Sequence, residues 1–417
     1  MPYEPTTNFR DSNDVDLGKK LVTKDYLLEV YGTILENSPA SGLVVTPELW
    51  TWGDGFFNPR LGSATFTVLT PVTVFTGGTN WKQVSCGNDH AAAIKTDGTL
   101  WIWGRNGNGQ LGNNTTTERY TPLTTFVGGT DWKQVSCGEA STAAVKTDGS
   151  LWIWGDNTVG ILGTNDATQR LTPVTTFAGG NDWKSVFMGD AGGGDPHTLA
   201  IKTDGSLWTW GANGDGQLGN FTRTARSTPV TTFAGGNDWK SVSGGRGHTG
   251  AVKTDGTLWV WGGNNGGRLG IHQGDFETRN TPVTTFAGGT NWKQIVCNGG
   301  GGMCAVKTDG SLWGWGYNNY GQLGINVNDT FSFIRTPVTT FSGGNNWKSV
   351  GGGYDWNTAI KTDGTLWVWG RNTGGQLGDN STTNRFTPVT TFAGGNNWKQ
   401  VSGGRGHTQA IKSIDYI

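Results

Sequence analysis

The string Leu-Trp-x-Trp-Gly starts at Leu49, Leu100, Leu151, Leu207, Leu258, Leu312 and Leu366, at intervals of 51, 51, 56, 51, 54 and 54 residues. A chain that repeats one short unit at such a period folds as stacked copies of one supersecondary element, because each copy buries its apolar faces only against its neighbours. Two further markers keep the same register. Trp-Lys begins at Trp81, Trp132, Trp183, Trp239, Trp292, Trp347 and Trp398, and a proline four residues before a Phe recurs at Pro71, Pro122, Pro173, Pro229, Pro282, Pro337 and Pro388. The first two markers hold 21 of the 22 tryptophans; the exception is Trp356.

Within a unit, short runs alternate apolar and polar residues at period two, the pattern of half-buried antiparallel strands. In the unit after Trp81 the strands are expected at Trp81 to Cys86, Ala91 to Lys95 and Leu100 to Trp103, with a fourth following Pro122. Lys-Thr-Asp-Gly recurs six times between the second and third strands as a tight hairpin turn whose glycine supplies positive φ. Four-stranded sheets packed radially bury one another's faces, so the fold class predicted is all-β: a seven-bladed β-propeller of four-stranded antiparallel blades. Trp398 to Lys412 gives two strands and ends, while the first unit starts at Leu43 with a degenerate second strand. The N- and C-terminal segments are therefore expected to share one blade and close the ring. Residues 43–417 form the propeller, and 1–42 form an arm with a short amphipathic helix capped by Thr23.

The formal net charge is −1 and 15% of residues are charged, which gives no basic field for phosphate backbones, so nucleic acid is not an expected partner. No apolar run approaches the roughly 20 residues of a membrane helix, and no signal-like segment opens the sequence, so membrane insertion is not expected. Four cysteines in so long a chain do not make a disulfide scaffold. Cys86, Cys137 and Cys297 share one slot of the repeat and read as buried thiols; Cys297 and Cys304 flank a glycine-rich turn across which pairing was the alternative. No cofactor or metal motif and no nucleophile or phosphate-loop string is present, and the chain is not expected to be an enzyme.

The run Gly-Arg-Asn-Gly-Asn-Gly-Gln-Leu-Gly (Gly104 to Gly112), followed by Thr-Pro, Val-Ser-Cys-Gly and Trp-Ile-Trp-Gly, resembles the repeat of the regulator-of-chromosome-condensation family. The likeness covers nearly the whole chain. His-Thr pairs at 197–198, 248–249 and 407–408, with His90 in the same slot, are also similar to that family. The resemblance implies a propeller and a choice of roles: nucleotide exchange on a small GTPase, light sensing, protein inhibition or scaffolding. No inserted wedge of the exchange-factor type stands out, and the tryptophan clusters of the light-sensing members are missing.

In such a blade the turns after the first and third strands share one rim. The other rim, built from Lys-Thr-Asp-Gly and Gly-Gly-x-x-Trp, is nearly invariant, whereas the first varies at 189–196, 271–277, 325–333 and 353–356. Loops on a rigid scaffold carry contacts to partners. Phe331, Phe333, Tyr354 and Trp356 are candidates for an exposed aromatic anchor on this rim, and Leu27, Tyr31, Ile34 and Leu35 form the stripe by which the arm docks. The four second-strand histidines lie on separate blades, too far apart to share a metal, and read as hydrogen-bonded structure. Arg119, Arg170, Arg226, Arg279, Arg335 and Arg385 read as a repeated clamp rather than an anion ring. The arm followed by Thr/Asn/Gly-rich repeats resembles phage or virus appendage proteins in composition. The leading expectation is a non-catalytic structural or receptor-facing propeller of a virion, joined to other subunits through residues 1–42. The alternatives are a cytoplasmic interaction module of nucleotide-exchange type and a glycan-binding propeller.

Overall fold

The computed structural model describes residues 44–54, 67–74, 78–189, 195–272, 276–327, 333–341 and 344–416. Two compact units divide the chain, residues 46–414 and residues 1–45 with 415–417; the second falls almost wholly outside the described residues, as does the helix expected in the arm. The larger unit consists of seven four-stranded antiparallel sheets.

Blade I comprises Trp81–Cys86, His90–Lys95, Leu100–Gly104 and Arg119–Thr124, from the axis outwards. Blades II to VI repeat that order and begin at Trp132, Trp183, Trp239, Trp292 and Trp347. Blade VII takes Trp398–Gly403 and His407–Tyr416 from the end of the chain and Val44–Asp54 and Thr67–Thr73 from its beginning. The C-terminal strand lies between Trp398–Gly403 and Val44–Asp54, the interlock that the degenerate first unit called for. Contacts between the first strands of successive blades run from I to VII and back to I, so the ring is closed.

The strand boundaries extend the expected ones. The second strand starts one residue earlier, at the His90 slot, and the fourth begins at Arg119, three residues before Pro122. The ladder shifts register between Ile102 and Gly104, and that bulge accommodates a proline with no amide to give. In the Lys-Thr-Asp-Gly turn Gly98 has φ +80°, and any Cβ there would strike the backbone of Thr130.

Seven apolar clusters each straddle one seam between neighbouring blades. In the I–II seam Ala92, Ile94, Leu100, Ile102 and Leu111 of blade I meet Trp132, Val135, Ala144 and Trp154 of blade II. The tryptophan excess is thus inter-blade packing, with Trp132 edge-on to both Trp152 and Trp154. All four cysteines are buried thiols outside any disulfide, so Cys297 and Cys304 do not pair. Outer strand edges are covered by the preceding blade: the amides of Asn114, Asn165, Asn326 and Asn380, all at positive φ, donate to Leu171, Ser227, Phe386 and Leu69 carbonyls at 2.8–3.0 Å.

Candidate functional site at the variable rim

The first-to-second turn and the third-to-fourth loop of each blade meet on one rim. Arg105 donates its amide to the Asp89 carbonyl at 2.8 Å, and Asp156 and Ala212 repeat this with Ala140 and Pro196 at 3.0 Å. In blades I to VI an asparagine, at 106, 157, 213, 264, 318 and 372, opens the third-to-fourth loop. Asn106 Oδ1 accepts the Leu111 amide at 2.9 Å, while its Nδ2 donates to the Thr115 and Thr117 carbonyls. Four residues further on, Gln110 accepts the Asn108 amide on Oε1. The Gln110 carbonyl receives Thr142 Oγ1 and Trp154 Nε1 of the next blade, both at 2.8 Å. Gln217, Gln322 and Gln376 repeat the Oε1 cap, and Trp261, Trp369 and Trp52 donate to their carbonyls.

Blade IV breaks the pattern. Arg268 stands in the glutamine slot and cannot accept a hydrogen bond, so it cannot cap the loop as glutamine does. Its Nε donates to the Asn265 carbonyl at 3.1 Å and Nη1 to the Arg246 carbonyl at 2.8 Å, and its guanidinium carbon lies 5.5 Å from the centre of the Tyr317 ring. Arg268 is only 8% exposed, and among the described residues no carboxylate lies within ion-pair distance of it. Its charge reaches His248, whose imidazole is pushed down to about 3 by burial first and by Arg268 second. Beside it opens a cleft of about 330 Å³ spanning blades III to VI, lined by Asp195, Asp215, Arg246, Asn265, Arg268, Tyr317, Tyr354 and the backbone of Gly299 and Gly300. Blade III gives the cleft its acidic groups, Asp195 and Asp215, and blade IV its basic ones, Arg246 and Arg268.

The sequence-predicted residues fall unevenly around this cleft. Tyr354 lines it, half-buried, with its amide donating to the Gly404 carbonyl and its carbonyl accepting the Gly300 amide at 2.7 Å. Phe333 is 37% exposed and packs edge-on against Tyr317 at 4.9 Å, behind the cleft. Trp356 is not an exposed anchor. It is fully buried between blades VI and VII with Trp52, Trp398 and Ala410. The physical reason is its slot: His90, His197, His248 and His407, the equivalents of Trp356, are all fully buried, and Gly403 leaves the space that the indole fills. Phe331, Leu27, Tyr31, Ile34 and Leu35 lie outside the described residues.

The histidines are structural, as expected: His90 Nε2 pairs with Thr142 Oγ1 at 2.9 Å and His197 Nε2 with Thr249 Oγ1 at 2.8 Å, each across a seam. The arginine clamp holds only in part. Arg170 and Arg385 pair with Asp166 and Asp379 at 2.6 Å, and Arg279 with Glu277 at 3.3 Å, whereas Arg335 lies over Phe276. Among the described residues no group of three or more His, Cys, Asp or Glu is placed to hold a metal, and no helix is long and apolar enough to cross a membrane. Phe126, Phe177, Phe233, Phe286, Phe341 and Phe392 are exposed alike in six blades and so single out no site.

A family model described as an RCC1-like domain matches residues 41–276, more than half of the chain. Models of the regulator of chromosome condensation (RCC1) repeat match 292–322, 309–360 and 363–411. The chain belongs to the RCC1-like family. It is 31% identical over 310 residues to the ultraviolet-B receptor UVR8 of Arabidopsis thaliana, a match covering 73% of this chain and 68% of that one. It is 29% identical over 309 residues to the mitochondrial RCC1 domain-containing protein RUG3 of the same plant, covering 71% and 66%. With the human E3 ubiquitin-protein ligase HERC2 it shares 29% over 292 residues, 67% of this chain but 6% of the ligase. Human WBSCR16 superposes with a TM-score of 0.75 at 20% identity, covering 89% of this chain and 100% of that one. Prp20p of Saccharomyces cerevisiae, described for its binding to Gsp1p and histones, superposes with a TM-score of 0.74 at 18% identity, covering 89% and 92%. These two show the shared RCC1-like fold.

Proposed function

We infer that this RCC1-like propeller is a protein-binding module without catalysis of its own, and that it engages its partner on the variable rim around the Arg268 cleft. The observation that carries this reading is a local departure from the repeat. Arg268 departs from the glutamine that holds its slot in blades I, III, V and VI, Tyr317, Gly299–Gly300 and Tyr354 come from the variable turns beside it, and all of them converge on one cleft. A residue that only shaped its blade would follow the repeat; residues that differ and converge serve something outside it. Tyrosine and arginine are also the types that anchor interfaces. Protein binding is the coarse role that the named relatives suggest, as in the Gsp1p and histone binding described for Prp20p. Those relatives lend no support to the virion role anticipated from the arm.

The test is photo-crosslinking with a benzoylphenylalanine placed either at Tyr354 or at Asp309 on the opposite rim. Crosslinking of one partner from the Tyr354 position and none from Asp309 is the expected result. Equal yields from both rims would overturn the assignment.

A further inference from the structure

We propose that the Arg268 cleft receives a carboxylate of the partner that has a basic residue beside it. This rests on the rim being the binding face, and goes further by naming the ligand chemistry. Three observations carry it.

The first is the isolation of Arg268. In blades I, III, V and VI the residue in this slot is a glutamine that caps its own loop, at Gln110, Gln217, Gln322 and Gln376. Arg268 makes no such cap. Two of its guanidinium nitrogens are spent on main-chain carbonyls, and the remaining one, Nη2, has no hydrogen bond among the described residues. A guanidinium more than nine-tenths buried without an opposing carboxylate is a strong site for one, because a charge-assisted bond there replaces little water.

The second is a cost that the blade bears locally. Trp52, Trp154, Trp210, Trp261 and Trp369 donate their indole N–H across a seam to the carbonyl of the slot residue. Trp315, which would meet Arg268 in this way, is buried with no acceptor. The threonine that supports the same carbonyl in blades II, III, IV and VII is Met303 here. Two hydrogen bonds made at this carbonyl in other seams are thus missing where Arg268 stands.

The third is the split of charge. Asp195 and Asp215 of blade III line the same cleft as Arg246 and Arg268 of blade IV. They repel a wholly acidic segment and favour a cation next to the bound carboxylate, while Tyr317 and Tyr354 add flat apolar area to the lining. A cleft of about 330 Å³ admits one or two side chains, not a folded element. The carboxylate has two sources, an acidic side chain within a chain or a chain terminus, and the experiment separates them.

The full chain is titrated by calorimetry with four acetylated peptides: Gly-Glu-Lys-Gly-amide, Gly-Gln-Lys-Gly-amide, Gly-Glu-Glu-Gly-amide, and Gly-Gln-Lys-Gly with a free C-terminus. The first or the last binds at least tenfold more tightly than the Gln-Lys amide, and which of them does so identifies the source. Arg268→Gln restores the residue of blades I, III, V and VI and is expected to fold; it abolishes that preference while the thermal midpoint holds or rises. Asp215→Asn keeps the affinity for the carboxylate and loses the preference for Glu-Lys over Glu-Glu. Equal binding of all four peptides, or an Arg268→Gln protein that binds as before, overturns the proposal. Crosslinking from Tyr354 that persists in Arg268→Gln at undiminished yield overturns the anchor alone; peptide selectivity without any Tyr354 crosslink overturns the protein-binding reading and leaves the carboxylate site standing.

Discussion

Gln400 holds both main-chain groups of Val84, 316 residues away: its Oε1 accepts the Val84 amide at 3.0 Å and its Nε2 donates to the Val84 carbonyl at 3.2 Å. The amide side chain stands in for one residue of a β-strand between blades VII and I. Gln83, Gln134 and Gln294 do the same for Val135, Val186 and Val350, so four of the seven inner seams are joined in this way. Gln400→Ala removes two partly buried hydrogen bonds at the seam that closes the ring and leaves the Val84 groups unpaired. A loss of about 1–3 kcal/mol is expected in the urea midpoint. Ending the chain after Gly403 goes further, since it deletes the strand that pairs with both Trp398–Gly403 and Val44–Asp54, and no cooperative unfolding transition should survive.

Serine takes the glutamine slot at Ser185, Ser241 and Ser349, so the seams that follow, IV–V among them, lack this joint. Ser241 replaces the glutamine there and its buried hydroxyl has no partner, although Cys297 still donates its amide to Ser243 Oγ at 3.0 Å. Ser241→Gln should supply the missing pair of bonds to Ile295 and raise stability by about 1 kcal/mol. Amide exchange in Trp292–Cys297 would report the change locally, as slower opening in the variant.

How much of this was legible beforehand follows from what repetition can and cannot reveal. Blade number, strand order, the interlocked termini and the packing role of the tryptophans follow from seven copies in register, because each copy confirms the others. Sites are exceptions to a repeat, and an exception can point either way. Trp356 and Arg268 both break their columns; the first fills an inter-blade seam because its slot is buried in every blade, and the second lines a rim cleft because its slot lies in a rim loop. The column of Gln110, Gln217, Gln322 and Gln376 held the signal for Arg268, but the cap that makes glutamine the rule became visible only with the hydrogen bonds. Lys146 shows the same limit: its ammonium sits 4.8 Å from the Trp132 ring and 3.2 Å from Asp131, a clamp repeated in other blades that spacing alone does not disclose.

That clamp is testable at Lys361, whose ammonium lies 4.2 Å from the centre of the Trp367 ring and 4.7 Å from that of Trp347. Lys361→Met keeps the apolar stem and removes the charge, and should lose about 1 kcal/mol. Lys361→Ala also removes the stem that covers both rings, and should lose more. Equal losses in the two variants would show that the charge contributes nothing.

Acid should loosen the ring before its carboxylates titrate. Burial holds His90 and His197 down at about 4, below the unfolded value near 6.5, so the unfolded chain binds more protons between those limits. The stability from keeping these rings neutral is complete above pH 6.5 and is lost as pH falls toward 4, by about 3 kcal/mol for each. The turn aspartates, Asp97 and Asp148 among them, are held below the usual carboxylate range by Thr99 and Ser150, and their contribution is lost only at lower pH. Urea midpoints measured from pH 7.5 to 4.5 should fall steadily, and His197→Gln should flatten the slope.

Trp356 supplies the sharpest test of the seam geometry. A Cβ at Gly403 would lie 2.4 Å from Trp356 Cη2, so Gly403→Ala forces the indole or the strand to move and should cost about 1–3 kcal/mol. Trp356→Ala opens a cavity between blades VI and VII and should cost about 3–5 kcal/mol. In the I–II seam the smaller His90 coexists with Cys137 in the position equivalent to Gly403. Trp356→His should therefore lower the cost of Gly403→Ala to what the Gly352 carbonyl, 2.9 Å from that Cβ, still imposes, and the two changes should couple by at least about 1 kcal/mol in a double-mutant cycle followed by urea denaturation. Additive costs would mean that the indole does not occupy the space that the glycine leaves.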